Sequence, residues 1–241
     1  MLNIIVCKNY EEMSEAAARS VLESIRETPD GLLSFPGGDT PLGMVRAFVR
    51  DVNAGKADIS KLHYVSLDEW VGLASDVVGS CGKFNHDNLF APLKYSFADK
   101  FVINGAAADI EAERRALNAF IEKYGPLTVS VLGIGMNGHL GFNESGVDFD
   151  LDAHIIPLDE VTKGVMQKYF DVERHPTQGI TQGIRQIMAA KKVILLANGA
   201  HKADIVARAA KGEVTNEVPA SVLQKHPNSY LIVDEAAASK L

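Results

Sequence analysis

The chain has 241 residues, 46% of them hydrophobic and 23% charged, and a formal net charge of −7. That composition is ordinary for a folded globular protein of one large domain, and the acidic balance disfavours nucleic acid or an anionic membrane as partner, both of which draw basic patches. No apolar run approaches the roughly 20 residues of a membrane span, the start lacks a signal-peptide layout, and the default expectation is a cytoplasmic protein whose two cysteines, Cys7 and Cys81, stay reduced.

Short β-branched runs alternate with amphipathic stretches along the chain. Leu2–Cys7 reads as a strand and Tyr10–Arg26 as a helix, with Met13, Ala16, Ala17, Val21 and Ile25 at helical spacing. A strand at Gly31–Phe35 precedes a helix at Pro41–Val52, and His63–Asp68 reads as the third strand. Lys83–Phe90 is helical, Lys100–Ile103 a short strand, and Asp109–Tyr124 a helix. Leu127–Gly133 is rich in apolar residues and carries no charge, as in parallel strands covered on both faces. Val193–Ala197, a helix at His201–Ala210 and Ser229–Val233 complete the series. The pattern predicts a single-domain α/β fold spanning 1–241. Its core is a doubly wound, mostly parallel sheet of about seven strands with helices on both faces.

Ligands of such sheets collect at the carboxyl ends of the strands. Four polar or glycine-rich segments stand there. Gly37, Gly38, Asp39 and Thr40 lie between a strand and a helix; glycines turn tightly, and free N–H groups at a helix start hold anions. Thr40 is placed as the helix N-cap with Pro41 after it. Asp39 would have to turn away from a bound phosphate or accept a hydrogen bond. Asp68-Glu69-Trp70 supplies two acids that point to opposite faces, each suited to general-base or helix-capping work.

The segment 133–144 opens as G-x-G-x-x-G, but the residues after it start a helix poorly, which argues against a nicotinamide site. It reads instead as a loop presenting His139, with Glu144 and Asn137 available to orient it. In Gly199-Ala200-His201-Lys202, Lys202 offers charge to a phosphate or to solvent. The remaining histidines lack metal-ligand spacing, so neither metal nor cofactor is expected.

Together Leu67-Asp68-Glu69-Trp70-Val71-Gly72-Leu73, Gly135–Glu144 and Gly199-Ala200-His201-Lys202-Ala203 resemble the glucosamine-6-phosphate deaminase/isomerase family, within the superfamily that includes 6-phosphogluconolactonases. The resemblance implies a deaminating isomerase of a phosphorylated amino sugar. Asp68 would move a proton between C2 and C1, and His139 would assist ring opening. Glu144 and Asn137 would orient His139, and Gly37, Gly38, Asp39, Thr40, Lys168 and Lys202 would hold the 6-phosphate. Lys168 stands where the family commonly has arginine, keeping charge but losing a bidentate fork. Gly79-Ser80-Cys81, Thr181–Ile184 and Val218–Ser221 look closer to the galactosamine-6-phosphate branch. The family also suggests a homo-oligomer, and the short stretch after the last strand suggests no allostery by an amino-sugar phosphate. A lactonase and a non-catalytic sugar-phosphate sensor are the alternatives.

Overall fold

The computed structural model describes residues 2–241. Among them, seven strands make one parallel sheet: β1 (Asn3–Cys7), β2 (Leu32–Ser34), β3 (His63–Val65), β5 (Asp99–Phe101), β6 (Val129–Gly133), β9 (Lys192–Ala197) and β10 (Ser229–Asp234). They lie in the order β1-β10-β9-β6-β2-β3-β5. Three further strands, β4 (Asp68–Trp70), β7 (His154–Pro157) and β8 (Gln178–Thr181), form a small antiparallel sheet in the order β4-β8-β7.

Strand alternation divides the apolar residues between two cores. On β9, Val193, Leu195 and Ala197 join the cluster containing Leu117 and Ile121 of α4 (Ile110–Tyr124), Ile184 of α6 (Ile184–Met188) and Val206 of α7 (Ala203–Lys211). Ile194 and Leu196 point the other way, to Val21 and Ile25 of α1 (Tyr10–Glu27) and Met44 and Phe48 of α2 (Asp39–Asn53). All these side chains are buried, and each of the larger ones, Ala197 excepted, contributes about 1.5–3 kcal/mol through loss of contact with water. Burial on both faces explains why the central strands are apolar without alternation. No described helix is long and apolar enough to cross a membrane.

The run expected as one strand from His63 to Asp68 is broken. β3 stops at Val65, and Asp68 starts β4 in the other sheet, opposite Thr181. The break is set by Gln182, whose side chain donates to Ser34 Oγ at 2.9 Å and to the Ser66 carbonyl at 2.8 Å. The Gln182 backbone N–H bonds the Leu67 carbonyl at 2.8 Å. Those bonds peel the chain from the main sheet and swing Asp68 over its carboxyl edge. The strands β7 and β8 were not expected.

The chain also begins its helices slightly differently from expectation. Gly38, at φ 108°, is the N-cap of α2, and Thr40 lies inside the first turn. The stretch expected as one helix at 83–90 is α3 (Cys81–Asn85) followed by a single π-helical turn, His86–Phe90. The helix expected from His201 starts as a 3-10 turn at Ala200–Lys202 before α7.

Candidate active site

Three turns leave the carboxyl ends of β2, β6 and β9, which are neighbours in the sheet. From β6 the chain continues to one side and from β2 to the other, so these turns surround the crevice where an open α/β sheet takes its ligand.

Asp68 overlooks this crevice and is 8% exposed. Burial pushes its carboxyl up to about 6, against the opposing pull of a hydrogen bond from the Cys81 thiol and the charge of His139. Glu69 points the other way, as strand alternation requires. Its carboxylate accepts the backbone N–H groups of Trp70 at 2.9 Å, Cys81 at 3.0 Å and Gly82 at 2.8 Å, anchoring the start of α3. Asp68 therefore faces the crevice and Glu69 is structural. Neither Cys81 nor Cys7 is in a disulfide.

The loop after β6 carries His139 and passes directly against Asp68. At Gly141, which sits at φ 59°, an added Cβ would lie 3.5 Å from Asp68 Oδ2 and 2.7 Å from Thr181 Oγ1, so only glycine lets the backbone pass this close. Phe142 anchors the loop beneath, its ring 4.5 Å from that of Trp70. His139 Nδ1 lies 3.0 Å from Glu144 Oε2. Asn137 donates to the same oxygen at 2.9 Å and accepts the His139 backbone N–H at 3.2 Å. Burial alone would raise the Glu144 carboxyl, but bonds from His139, Thr162 and Asn137 outweigh it and hold the group below its ordinary range. The arrangement fixes Nδ1 on the carboxylate and leaves Nε2 as the working nitrogen.

Thr162 was not anticipated. Its hydroxyl donates to Glu144 Oε1 at 2.7 Å, and the Asp159 N–H reaches that oxygen at 3.4 Å. Thr162 lies on α5 (Glu160–Met166), whose N-cap is Asp159. The capping aspartate was a legible helix start; the contact with residue 144 was not.

His139 also depends on Gly135, where a Cβ would overlap the imidazole ring at Cε1, Nε2 and Cδ2. Gly135→Ala is expected to tilt the ring and lower kcat about 100-fold, the scale of an ångström-level misplacement. Unchanged thermal stability and unchanged ligand affinity would accompany that loss. Steady-state kinetics and a thermal melt check both.

The expected phosphate residues gather on the other side of the crevice. Gly37 faces Cys81, with 3.7 Å from an added Cβ to Sγ. Thr40 Oγ1 bonds Asn198 Oδ1 at 2.8 Å instead of capping its own helix. Asp39 turns outward and pairs with Lys168 at 3.0 Å. With side-chain exposures of 77% and 52%, that pair is water-screened and weak, so Lys168 is readily recruited by an anion. Lys202 Nζ donates to the Ile134 carbonyl at 2.7 Å. Burial, then repulsion from Lys168, lowers its ammonium to about 8. That repulsion means the charge of Lys168 is felt at Lys202, and an anion bound between them would relieve it. Among the described residues, no group of three or more His, Cys, Asp or Glu side chains is arranged to hold a metal.

The family model for glucosamine-6-phosphate isomerases and 6-phosphogluconolactonase matches residues 8–232. The chain belongs to this family. It is 40% identical over 241 residues to a glucosamine-6-phosphate deaminase of Clostridium perfringens, covering all of both chains. It is 38% identical over 239 residues to one of Thermoanaerobacter pseudethanolicus, covering 99% of this chain and 94% of the relative. A solved monomeric glucosamine-6-phosphate deaminase superimposes with a TM-score of 0.95 at 34% identity, both chains fully covered. The 6-phosphogluconolactonase of Trypanosoma brucei shares the fold, with a TM-score of 0.75 at 18% identity over 100% of this chain and 99% of that one. The relatives at high identity are enzymes, and the α/β fold expected from the sequence is that of this family.

Proposed function

We propose that this family member is a glucosamine-6-phosphate deaminase, converting its substrate and one water to fructose 6-phosphate and ammonia. The supporting observation is the convergence of a buried carboxylate, Asp68, and a carboxylate-oriented imidazole, His139, beside a pair of lysines and a glycine-built anion turn. The names of the full-length relatives favour the glucosamine substrate over its galactosamine epimer.

Gly37, Gly38 and Thr40, with Lys202 and Lys168, hold the 6-phosphate, and Lys168 exchanges its Asp39 partner for the anion. Asp39 itself stays at the rim. His139 passes a proton at the ring oxygen while the C1–O bond opens. Asp68 then takes the C2 proton and returns it to C1 while one amine proton passes to O1, which turns the open-chain amino aldehyde into a C2 imine. Addition of water at C2 and departure of ammonia leave the ketose. The substrate's own amine carries the electron shift, so the steps assigned to protein residues are binding, orientation and proton transfer.

An ammonia-release assay tests this reading. Glucosamine 6-phosphate is expected to be the best substrate. A higher kcat/KM on galactosamine 6-phosphate would move the specificity to the epimer. Hydrolysis of 6-phosphogluconolactone without ammonia from either amino sugar would overturn the deaminase reading.

The carboxyl of Asp68 sets a pH dependence. Only its ionised form abstracts a proton, and burial raises it to about 6. The free enzyme's kcat/KM is therefore expected to fall as pH drops through about 6, some two pH units above the range for an exposed aspartate. A profile flat down to pH 5 would remove Asp68 from the role of base.

A further inference from the structure

Asn198 is the first residue after β9 and opens the polar segment that carries Lys202, with no role of its own in the expected site. Its Oδ1 lies 2.8 Å from Thr40 Oγ1, a bond between side chains 158 positions apart that joins the turn after β9 to the first turn of α2. The backbone beside it is pinned: the Gly199 N–H lies 3.0 Å from both oxygens of Asp234, and Gly199 takes a φ of 83°. Asn198 is thus held at the mouth of the anion turn, three and four residues from His201 and Lys202.

We propose that Asn198 is a phosphate-binding residue of this site, acting with Thr40 as a two-residue donor unit for the oxyanion. The inference rests on the sugar-phosphate reading above and extends it to a side chain outside the expected phosphate set. A phosphate dianion accepts hydrogen bonds and offers none at neutral pH, so a useful neighbour must have a donor to spare. As oriented, the amide oxygen takes the Thr40 hydroxyl proton, and the Asn198 amide N–H groups have no acceptor among the described residues. With the amide turned over, its nitrogen donates to Thr40 Oγ1 and the Thr40 hydroxyl is released. In both orientations the pair keeps two donors, at least one of them available to an anion between the α2 turn and the two lysines. A carboxylate has no such freedom, since it only accepts. An aspartate at 198 would capture the Thr40 hydroxyl and place a negative charge against the phosphate.

The test compares Asn198→Asp, Asn198→Ala and Asn198→Ser with the parent protein. KM for glucosamine 6-phosphate is expected to rise about tenfold in the alanine variant, the scale of one hydrogen bond to a charged group, and about 100-fold or more in the aspartate variant, with kcat changed less than threefold. Serine, which can donate and accept, is expected to recover most of the alanine loss. A residue with only a structural role would instead lower thermal stability and kcat together and would not separate aspartate from alanine. KM values within twofold of the parent in the aspartate and alanine variants would overturn the proposal, as would a loss confined to kcat.

Binding of inorganic phosphate, measured by calorimetry on the same proteins, separates this inference from the reading beneath it. Absence of ammonia release from both amino sugars, with phosphate binding still weakened in the aspartate variant, would defeat the deaminase and leave Asn198 standing. Ammonia release with phosphate binding unaltered in the aspartate variant would do the reverse.

Discussion

Asp68→Asn is expected to cut kcat by about 10³- to 10⁴-fold while leaving substrate affinity near its original value, the upper range for loss of a positioned general base. The amide fills the same space beside Gly141 but cannot accept a proton, and the phosphate contacts lie on other elements. Tighter or equal binding with turnover lost is the signature of a group that acts in the transition state. A variant keeping a tenth of parental turnover would sink the assignment.

The same substitution is expected to stabilise the fold at neutral pH. Burial raises the Asp68 carboxyl from an unfolded value near 3.8 to about 6. The folded state therefore binds the proton more tightly than the unfolded one. The resulting penalty is absent below pH 3.8, grows between 3.8 and about 6, and is complete above about 6. It amounts to something on the order of 3 kcal/mol, and an uncharged asparagine does not incur it. Thermal melts at pH 5 and pH 8 check this: the stability gained by the variant should be larger at pH 8.

His139→Gln is expected to lower kcat/KM by about 10²- to 10³-fold, because glutamine preserves a polar contact with Glu144 but cannot shuttle a proton. The Glu144 carboxylate retains Asn137 and Thr162 as partners, so the loop should remain folded. A C2-deuterated substrate separates this loss from that at Asp68. With ring opening slowed, the deuterium isotope effect on kcat/KM should shrink toward unity in the His139 variant. An isotope effect larger than the parent's would place His139 in the C2 proton transfer and overturn its assignment to ring opening.

Much of this was legible in the sequence, for a physical reason. Strands buried on both faces are rich in apolar residues and free of charge, so Leu127–Gly133 and Val193–Ala197 declared themselves, and the residues after them marked the crevice. The small sheet did not declare itself. His154–Pro157 carries a proline and Gln178–Thr181 a glycine, and neither alternates clearly; they become strands because Gln178–Thr181 pairs with Asp68–Trp70 on one edge and with His154–Pro157 on the other. The end of β3 was hidden for a similar reason, since it depends on Gln182, 116 residues from the Ser66 carbonyl it binds. Thr40 was misread as a cap because serine and threonine usually satisfy the nearest backbone N–H. Here Gly38 opens the helix without a side chain, and the Thr40 hydroxyl turns to Asn198. In each case a local preference yielded to a partner far along the chain.

The bond between Thr40 and Asn198 bears on how the protein is made as well as on what it binds. A nascent chain that has emerged only to Gly133 already has β2 and α2 but lacks the β9 turn and Lys202, so half of the anion cradle is missing. Affinity for a phosphorylated ligand should arise abruptly, when β9 inserts beside β6, and not build up with length. A bound phosphorylated ligand therefore stabilises only the state in which segments from the first and last thirds of the chain have met.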